Sequence, residues 1–567
     1  MTVTAPAPAS VPAPARDRRA SRRRGGGLAR AFALIGAEVV ASLGAALLLI
    51  VLCMRIRINP MTRIGQVSGL AGIQLRLVVL LTATLLLYWL VARVMPGAAA
   101  RIGAAAVAGL ATGVTASGNI VGLSGTPWPI YANWGDVGNL QQWAYDVIDG
   151  VPLPAEYPPG FPHLLAWAAE TFFDGDVPKA SKWVMIGFLA LTGPAAYLAW
   201  RMLLPPLWAL GIGVTATLPL VDPYKPYSPL VLMIVIPVFA KLVQVVQRSA
   251  LLGRKRTIAI GAGLGLLLAV LFLLYAGWFV WSSVGVVVLF SVLLVGLARS
   301  GGVRGLLGGL VPLVSALAVF LVLAGGYLVD LLGASGSTKD TYFYYDTASD
   351  PGYFATWAAS TPGPLRTVAY SPIGELGGVG LFTIVLVAGL GVALGLGLRQ
   401  PLVLTLTACT GSAFLLRYWY ASHMERDQVV QLYPRTSHQI LYCLIALTGL
   451  AVYLAAGRIQ AWIRAHDVEV PLAGRVRQAS ASRPRSVVLG ALCALGLLFG
   501  LAGSATADAF MPRDPQENSA GQLAWYAHNV RLPNGKCPKF AQWGKCEPYV
   551  PPFRGPTRPE KPKPAEN

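Results

Sequence analysis

Long apolar stretches dominate the pattern of hydrophobic and polar positions along the chain. Each runs for roughly 20 residues, the length of helix that crosses a hydrocarbon core about 30 Å thick. The runs are continuously apolar, which favours transmembrane helices over the alternating strands of a β-barrel. They begin near residues 31, 70, 102, 183, 206, 228, 258, 283, 306, 378, 401, 438 and 487. The pattern predicts an all-α integral membrane protein with about 13 transmembrane helices.

The runs divide the chain into three parts. Residues 1–27, rich in Ala, Pro, Arg and Gly, are expected to be a disordered basic tail in the cytoplasm. Residues 28–508 form the predicted multi-span domain, and residues 509–567 form an extracytoplasmic C-terminal tail. Counting spans from a cytoplasmic N-terminus, the outer loops cover 123–180, 221–227, 332–376 and 417–437.

Composition and charge agree with a membrane protein. Of the 567 residues, 12% are charged, whereas soluble domains carry about 25%. The net charge of +20 would suit nucleic acid, but its placement favours a membrane partner, because the main basic clusters all fall on the predicted cytoplasmic side. These clusters lie at 16–24, 248–256, 299–304 and 458–485, and the exception is the outer group Arg55, Arg57 and Arg63.

Six cysteines support the same topology. Four lie in apolar runs and are interpreted as small core residues. Cys537 and Cys546 lie nine positions apart in the Pro-rich tail, where an oxidising exterior would let them pair. A disulfide between them is therefore predicted.

The first outer loop has the residue types of a sugar-binding site. Trp134, Asp136, Gln141, Glu156 and Tyr157 interleave aromatic rings with amide and carboxylate groups. Rings stack on the apolar faces of sugars, and the polar groups bond hydroxyls. A structural interpretation stays open for two of them: Asp136 would cap a short amphipathic helix, and Glu156 would bond the following proline turn.

The other outer segments carry cations and aromatic rings. Lys225 in the second and Arg417, Arg435 and His438 in the fourth are suited to an anionic lipid phosphate. Ordinary contact with lipid headgroups is the alternative for these cations. Tyr344, in the third segment, would flank a sugar or belong to an interfacial aromatic belt.

The sequence contains no Walker-type phosphate loop, no Rossmann fingerprint and no metal motif. No cofactor is predicted, and metal dependence stays open. A sugar donor that reaches the outer face without a nucleotide would be a polyprenyl-phosphate sugar.

The ordered motifs resemble those of GT-C type membrane glycosyltransferases. More narrowly, the chain is similar to the actinobacterial galactan 5-O-arabinofuranosyltransferase family. The matching stretches are Trp134-Gly135-Asp136 with Gln141, Tyr157 to Pro162, Asp222 to Lys225 and Val430 to Thr436, within about residues 120–450. The tail is shorter than the resemblance leads one to expect.

The resemblance implies an enzyme of the bacterial plasma membrane, acting in arabinogalactan biosynthesis. Its donor would be decaprenyl-phosphoryl arabinofuranose and its acceptor a galactofuranose residue of galactan, with membrane lipids as its surroundings. Asp136 would be the general base for the acceptor hydroxyl, and Lys225, Arg417, Arg435 or His438 would hold the donor phosphate, with Lys225 and Arg435 favoured. Trp134, Tyr157 and Tyr344 would flank the sugars.

Three alternatives remain open from the sequence. A polyprenyl-phosphate mannose-dependent transferase would share the architecture and differ in the donor pocket. A transporter or flippase of lipid-linked sugars usually has mid-membrane polar groups and internal repeats, neither of which is found here. A non-catalytic scaffold is disfavoured by the long loops rich in aromatic rings and carboxylates.

Overall fold

The computed structural model describes residues 18–334, 381–427, 435–465, 484–513 and 520–548. Within these ranges the chain is built from helices and their connecting loops, with one isolated β-bridge between Val530 and Glu547. The helices are α1 (Arg18–Cys53), α2 (Arg63–Val91), α3 (Pro96–Gly122), α4 (Gly135–Ile148), α5 (Gly160–Phe172), α6 (Val177–Arg201), α7 (Pro206–Leu220), α8 (Tyr227–Gln247), α9 (Arg254–Leu274), α10 (Gly277–Ala334), α11 (Leu381–Gly397), α12 (Pro401–Asp427), α13 (Thr436–Ala465), α14 (Pro484–Ala509) and α15 (Ala520–Asn529).

Ten helices in the described part of the chain are long and apolar enough to cross a membrane. Two further apolar runs lie in the shorter helices α7 and α11. The long helix α10 contains two of the predicted runs, and Gly302, at φ 57° and ψ −150°, breaks its helical backbone between them. The chain therefore has the character of a multi-pass membrane protein, as the apolar pattern predicts.

Helix α3 lies at the centre of the bundle. It is almost entirely buried and is rich in Ala and Gly, which allow neighbouring backbones to approach closely. A Cβ at Gly109 would lie 2.0 Å from the carbonyl oxygen of Ser42 on α1, and one at Gly118 would lie 2.5 Å from Cβ of Ala507 on α14. The outer helices instead expose large apolar side chains, which suits contact with lipid.

The two ends of the bundle differ in charge and in structure. The end at which α3 finishes and α8 and α13 begin carries helices α4 and α5 and the C-terminal tail, and we call it the cavity end. The opposite end of the bundle carries most of the basic clusters. In the described residues these are Arg248, Arg254, Lys255, Arg256, Arg299, Arg304, Arg458 and Arg485.

Two of the predicted outer segments contain helices. The segment 417–437 is helical up to Asp427, because α12 continues to that residue without a Gly or Pro to end it. Within 123–180 the chain forms two helices, α4 and α5, and α6 begins at Val177, where the Asp176 side chain accepts a hydrogen bond from the Lys179 N–H.

The tail also contains structure that the sequence analysis did not predict. Helix α15 packs Ala524 and Ala527 against Trp128 and Ile130 of the loop after α3. The disulfide between Cys537 and Cys546, by contrast, is predicted from the sequence, and it is present in this tail with the Cα atoms 5.7 Å apart.

Candidate active site

Helix α4 positions Asp136. Its buried face consists of Val137, Leu140 and Ala144, which pack in the core of the bundle. The residue at the helix N-cap is Trp134, and Asp136 follows in the first turn. The interpretation of Asp136 as the N-cap is therefore wrong. Its carboxylate instead forms an ion pair across the cavity.

The segment between α7 and α8 reaches this first turn. Asp222 Oδ1 accepts a hydrogen bond of 2.8 Å from the Tyr224 N–H. The Tyr224 hydroxyl oxygen in turn accepts a hydrogen bond of 2.8 Å from the Asp136 N–H. Lys225 Nζ forms an ion pair with Asp136 Oδ2, and its side chain is only 7% exposed. The segment thus holds both the backbone and the carboxylate of Asp136.

Gly135 permits this close approach. Its φ of +53° lies in the left-handed region, which favours glycine. A Cβ there would lie 2.8 Å from the Tyr224 hydroxyl oxygen and 2.9 Å from the Tyr131 ring. A larger residue at this position would push Tyr224 away from Asp136.

Helix α13 supplies a second cation at its start. Arg435 Nη2 lies 4.0 Å from Asp136 Oδ2, and Arg435 Nη1 donates a hydrogen bond of 2.7 Å to the Tyr275 hydroxyl. Three residues later, the His438 ring packs edge-to-face near Trp278, with ring centroids 6.5 Å apart. Tyr275 and Trp278 come from the junction of α9 and α10.

These groups surround one cavity of about 180 Å³. Its walls combine two carboxylates, two cations, one imidazole, aromatic rings and aliphatic residues. The lining residues are Asp136, Leu220, Asp222, Tyr224, Lys225, Ser228, Pro229, Leu232, Tyr275, Trp278, Arg435 and His438. The cavity can therefore hold an anionic group beside a carboxylate.

Burial shifts the ionisation of two groups in this cavity. Burial and, to a smaller extent, repulsion from Arg435 lower the pKa of Lys225 to about 8, although attraction to Asp136 opposes the shift. Burial raises the pKa of Asp222 above its usual value, and the hydrogen bond from the Tyr224 N–H opposes this change. The charge state of each of these buried groups thus depends on its neighbours in the cavity.

Comparison of the sequence with protein-family models gives no match, and comparison with curated proteins gives no significant similarity. A function for the chain must therefore be argued from this geometry and from the residue patterns.

The structure brings four of the predicted site residues together. Asp136, Lys225, Arg435 and His438 all line the cavity. Arg417 does not line the cavity; it is buried and donates hydrogen bonds of 2.9 Å to the hydroxyls of Thr436 and Ser437.

Other predicted residues do not line the cavity. The Gln141 amide donates a 2.8 Å hydrogen bond to the Ala132 carbonyl, which supports the loop before α4. Tyr157 shares a 2.9 Å hydrogen bond with the Tyr227 hydroxyl. Glu156 is exposed and near Tyr327, Trp134 packs beside the tail, and Tyr344 lies outside the described residues.

Several cavity residues are not predicted as site residues from the sequence. Asp222 and Tyr224 lie in the stretch Asp222 to Lys225, of which only Lys225 is predicted to bind substrate. Tyr275 and Trp278 come from the short gap between two apolar runs, where aromatic residues usually indicate the membrane interface. No group of three or more His, Cys, Asp or Glu side chains arranged for a metal occurs among the described residues.

Proposed function

We propose that this chain is a GT-C type membrane glycosyltransferase that moves arabinofuranose from decaprenyl-phosphoryl arabinofuranose to a galactofuranose residue of cell-wall galactan. The observation that carries the proposal is the carboxylate of Asp136, ion-paired with Lys225 and 4.0 Å from Arg435 inside a cavity at one end of the helix bundle. Transfer from a lipid phosphate needs both a base and cations within reach of each other.

The two cations supply the donor-binding half of the site. A phosphate between Lys225 and Arg435 would accept charge-assisted hydrogen bonds from both. Arg435 is already oriented by the Tyr275 hydroxyl, which limits the reorganisation that binding requires. His438 lines the same wall and would donate a further hydrogen bond. The prenyl chain would leave the cavity between helices toward lipid.

Asp136 supplies the other half. The acceptor hydroxyl oxygen attacks the anomeric carbon, the bond from that carbon to the phosphate oxygen breaks, and polyprenyl phosphate leaves with the electron pair. Asp136 accepts the hydroxyl proton as the new bond forms. The leaving phosphate is stable as an anion, so no strong general acid is required, and Lys225 and Arg435 stabilise its developing charge.

The proposal assigns the cavity end to the exterior of a bacterial plasma membrane. The basic clusters at the far end then face the cytoplasm, in accordance with the positive-inside tendency. The N-terminus is assigned to the cytoplasm and the disulfide-bonded tail to the oxidising exterior. Lipid-linked sugars would reach the cavity on that side.

The test is a transfer assay with two donors. Membranes that contain the protein are incubated with a short galactofuranose acceptor and either radiolabelled decaprenyl-phosphoryl arabinofuranose or the mannose analogue. Labelled acceptor from the arabinose donor alone is the expected result. Labelling from the mannose donor alone would show that the donor sugar is mannose and not arabinofuranose. If the labelled donor crosses the membrane and no glycosidic bond forms, the protein is a transporter and not a transferase.

A further inference from the structure

The C-terminal tail packs directly on the loop that leads to Asp136. The Tyr131 N–H donates a 3.1 Å hydrogen bond to the Leu523 carbonyl, and the Thr126 hydroxyl donates one of 2.7 Å to the Ala527 carbonyl. His528 Nε2 lies 2.8 Å from the Gly122 carbonyl oxygen. The tail is therefore an integral part of the cavity end.

The disulfide-bonded segment continues the same contact. The Lys539 N–H donates a 3.1 Å hydrogen bond to the Gly125 carbonyl, and the Trp128 indole N–H donates one of 3.3 Å to the Val530 carbonyl. The bridge Cys537–Cys546 closes this segment. Together these contacts hold α15 and the disulfide-bonded segment against the loop between α3 and α4.

This arrangement leaves two aromatic rings side by side, next to the proposed base. The rings of Trp134 and Tyr526 have centroids 6.3 Å apart and planes inclined by 20°. Trp134 remains 48% exposed, so Tyr526 covers only part of the indole. Trp525 packs edge-on against Tyr526, at 5.5 Å between centroids, and supports it from the tail.

The position of this pair differs from that of the cations. Lys225 and Arg435 approach Asp136 within the cavity, whereas Trp134 lies outside the cavity lining and precedes Asp136 by two residues. In a direct displacement, the acceptor hydroxyl approaches the anomeric carbon on the face opposite the leaving phosphate, so the acceptor and the phosphate occupy different regions of the site. The 48% exposed Trp134 ring is therefore available to an acceptor without entry into the phosphate-binding part of the cavity.

We propose that Trp134 and Tyr526 form a carbohydrate subsite that binds a sugar ring of the acceptor glycan, so that the C-terminal tail takes part in acceptor recognition. This inference rests on the proposed function. Aromatic faces offer an apolar surface that matches the C–H faces of sugars, while phenol and indole groups can bond hydroxyls. A polymeric acceptor extends beyond the reacting residue and can contact such a surface while its terminal hydroxyl reaches Asp136.

The first test is glycan binding, which needs no turnover. A galactofuranose hexasaccharide is titrated calorimetrically into the detergent-solubilised full chain. We expect Tyr526→Ala to weaken binding on the order of five- to tenfold, and Tyr526→Phe, which keeps the ring, to retain it. The matched control is Trp543→Ala, which removes an 87% exposed aromatic ring from the same tail and should leave binding unchanged.

The second test distinguishes an effect on acceptor binding from an effect on the chemical step. Tyr526→Ala should raise the acceptor KM by a similar factor while kcat and the donor KM stay within about twofold. Tyr526→Leu, which keeps apolar volume, gives the same comparison if the alanine variant fails to fold.

Two outcomes would overturn the subsite: no binding of the hexasaccharide to the wild-type chain, or equal binding by wild type and Tyr526→Ala. The two proposals fail separately. Ring-dependent glycan binding without any arabinose transfer would support the subsite and contradict the proposed function. Transfer with an acceptor KM unchanged by Tyr526→Ala would support the function and contradict the subsite.

Discussion

At the scale of single residues, the chemistry of the site depends on the neighbours of Asp136. Its carboxylate faces Lys225 and Arg435, and its N–H is held by the Tyr224 hydroxyl. The helix N-terminus beneath it adds a further favourable dipole for negative charge. Each neighbour can be altered separately, so its contribution can be measured.

The pH dependence of kcat/KM for the donor should reflect the ionisation of Lys225. Its pKa of about 8 means that the ammonium is charged below that pH and becomes neutral above it. Attraction to the donor phosphate is therefore present at lower pH and lost as the pH rises. We expect kcat/KM for the donor to fall above about pH 8, by up to about tenfold per pH unit.

The control for this profile is Lys225→Arg. A guanidinium stays charged throughout the range, so the fall above pH 8 should disappear in that variant. An identical fall in the wild type and in Lys225→Arg would show that another group titrates.

Tyr224→Phe should test how strictly Asp136 must be positioned. The variant removes the acceptor of the Asp136 N–H and keeps the ring packed on Tyr131. Loss of about 1 kcal/mol of hydrogen bonding corresponds to roughly a fivefold lower rate. We expect kcat to fall by about this factor with little change in the donor KM.

Tyr453→Phe serves as the matched control for Tyr224→Phe, because Tyr453 packs on Trp208, outside the cavity lining. Equal kcat values for the wild type and Tyr224→Phe would contradict the positioning role.

At the scale of helices, close packing around α3 fixes the position of the loop that leads to Asp136. Gly109 and Gly118 allow α1 and α14 to contact the α3 backbone. Lys182 on α6 donates hydrogen bonds of 2.8 and 2.7 Å to the carbonyls of Leu123 and Thr126, just beyond the end of α3. The loop after α3 is thus hydrogen-bonded both to α6 of the bundle and to the C-terminal tail.

Two glycine substitutions should separate two effects of an added methyl group on stability, namely overpacking between helices and the change in helix propensity. Gly109→Ala introduces a Cβ 2.0 Å from the Ser42 carbonyl oxygen, so it should cost about 1–3 kcal/mol through overpacking. Gly187→Ala, on α6, meets no atom within 4 Å and should cause no loss. Thermal unfolding in detergent measures both. Equal melting temperatures for the two variants would contradict the close α1–α3 contact.

The elements differ in how far the sequence could predict them. A short amphipathic helix at Asp136 is predicted from the sequence and corresponds to α4, and within the described residues the apolar runs lie in helices. Helix α15 was not predicted, because its ten residues bury only Gly, Ala, His and Asn and its packing partners lie far away in the chain. A short helix stabilised mainly by tertiary contacts carries little local signal.

The site was predictable only in part for the same reason. The resemblance favours Lys225 and Arg435 as phosphate ligands, and outward-facing cations in general need an anionic partner. That Lys225 pairs with Asp136, and that Tyr224 holds its backbone, depends on which loops meet in space. A single sequence does not contain that information.

At the scale of the whole molecule, the account requires that the two ends of the bundle face different compartments. Cysteine labelling should test this, because the free thiols Cys53, Cys409 and Cys443 are buried and Cys493 can be changed to serine. Asp149→Cys, exposed at the cavity end, should react with a membrane-impermeant maleimide added to intact cells. Ser300→Cys, exposed at the basic end, should react only after permeabilisation. The reverse pattern would place the cavity in the cytoplasm.

The central claim is that the Asp136 carboxylate accepts the acceptor proton during sugar transfer. The most direct measurement compares the rate of arabinose transfer to galactan by the wild type, Asp136→Asn and Asp146→Asn. Asp146 lies on the same helix, accepts a hydrogen bond from Gln142 and does not line the cavity. The account predicts a loss of about 10²–10⁴-fold for Asp136→Asn alone. Equal transfer by the wild type and a folded Asp136→Asn would contradict it.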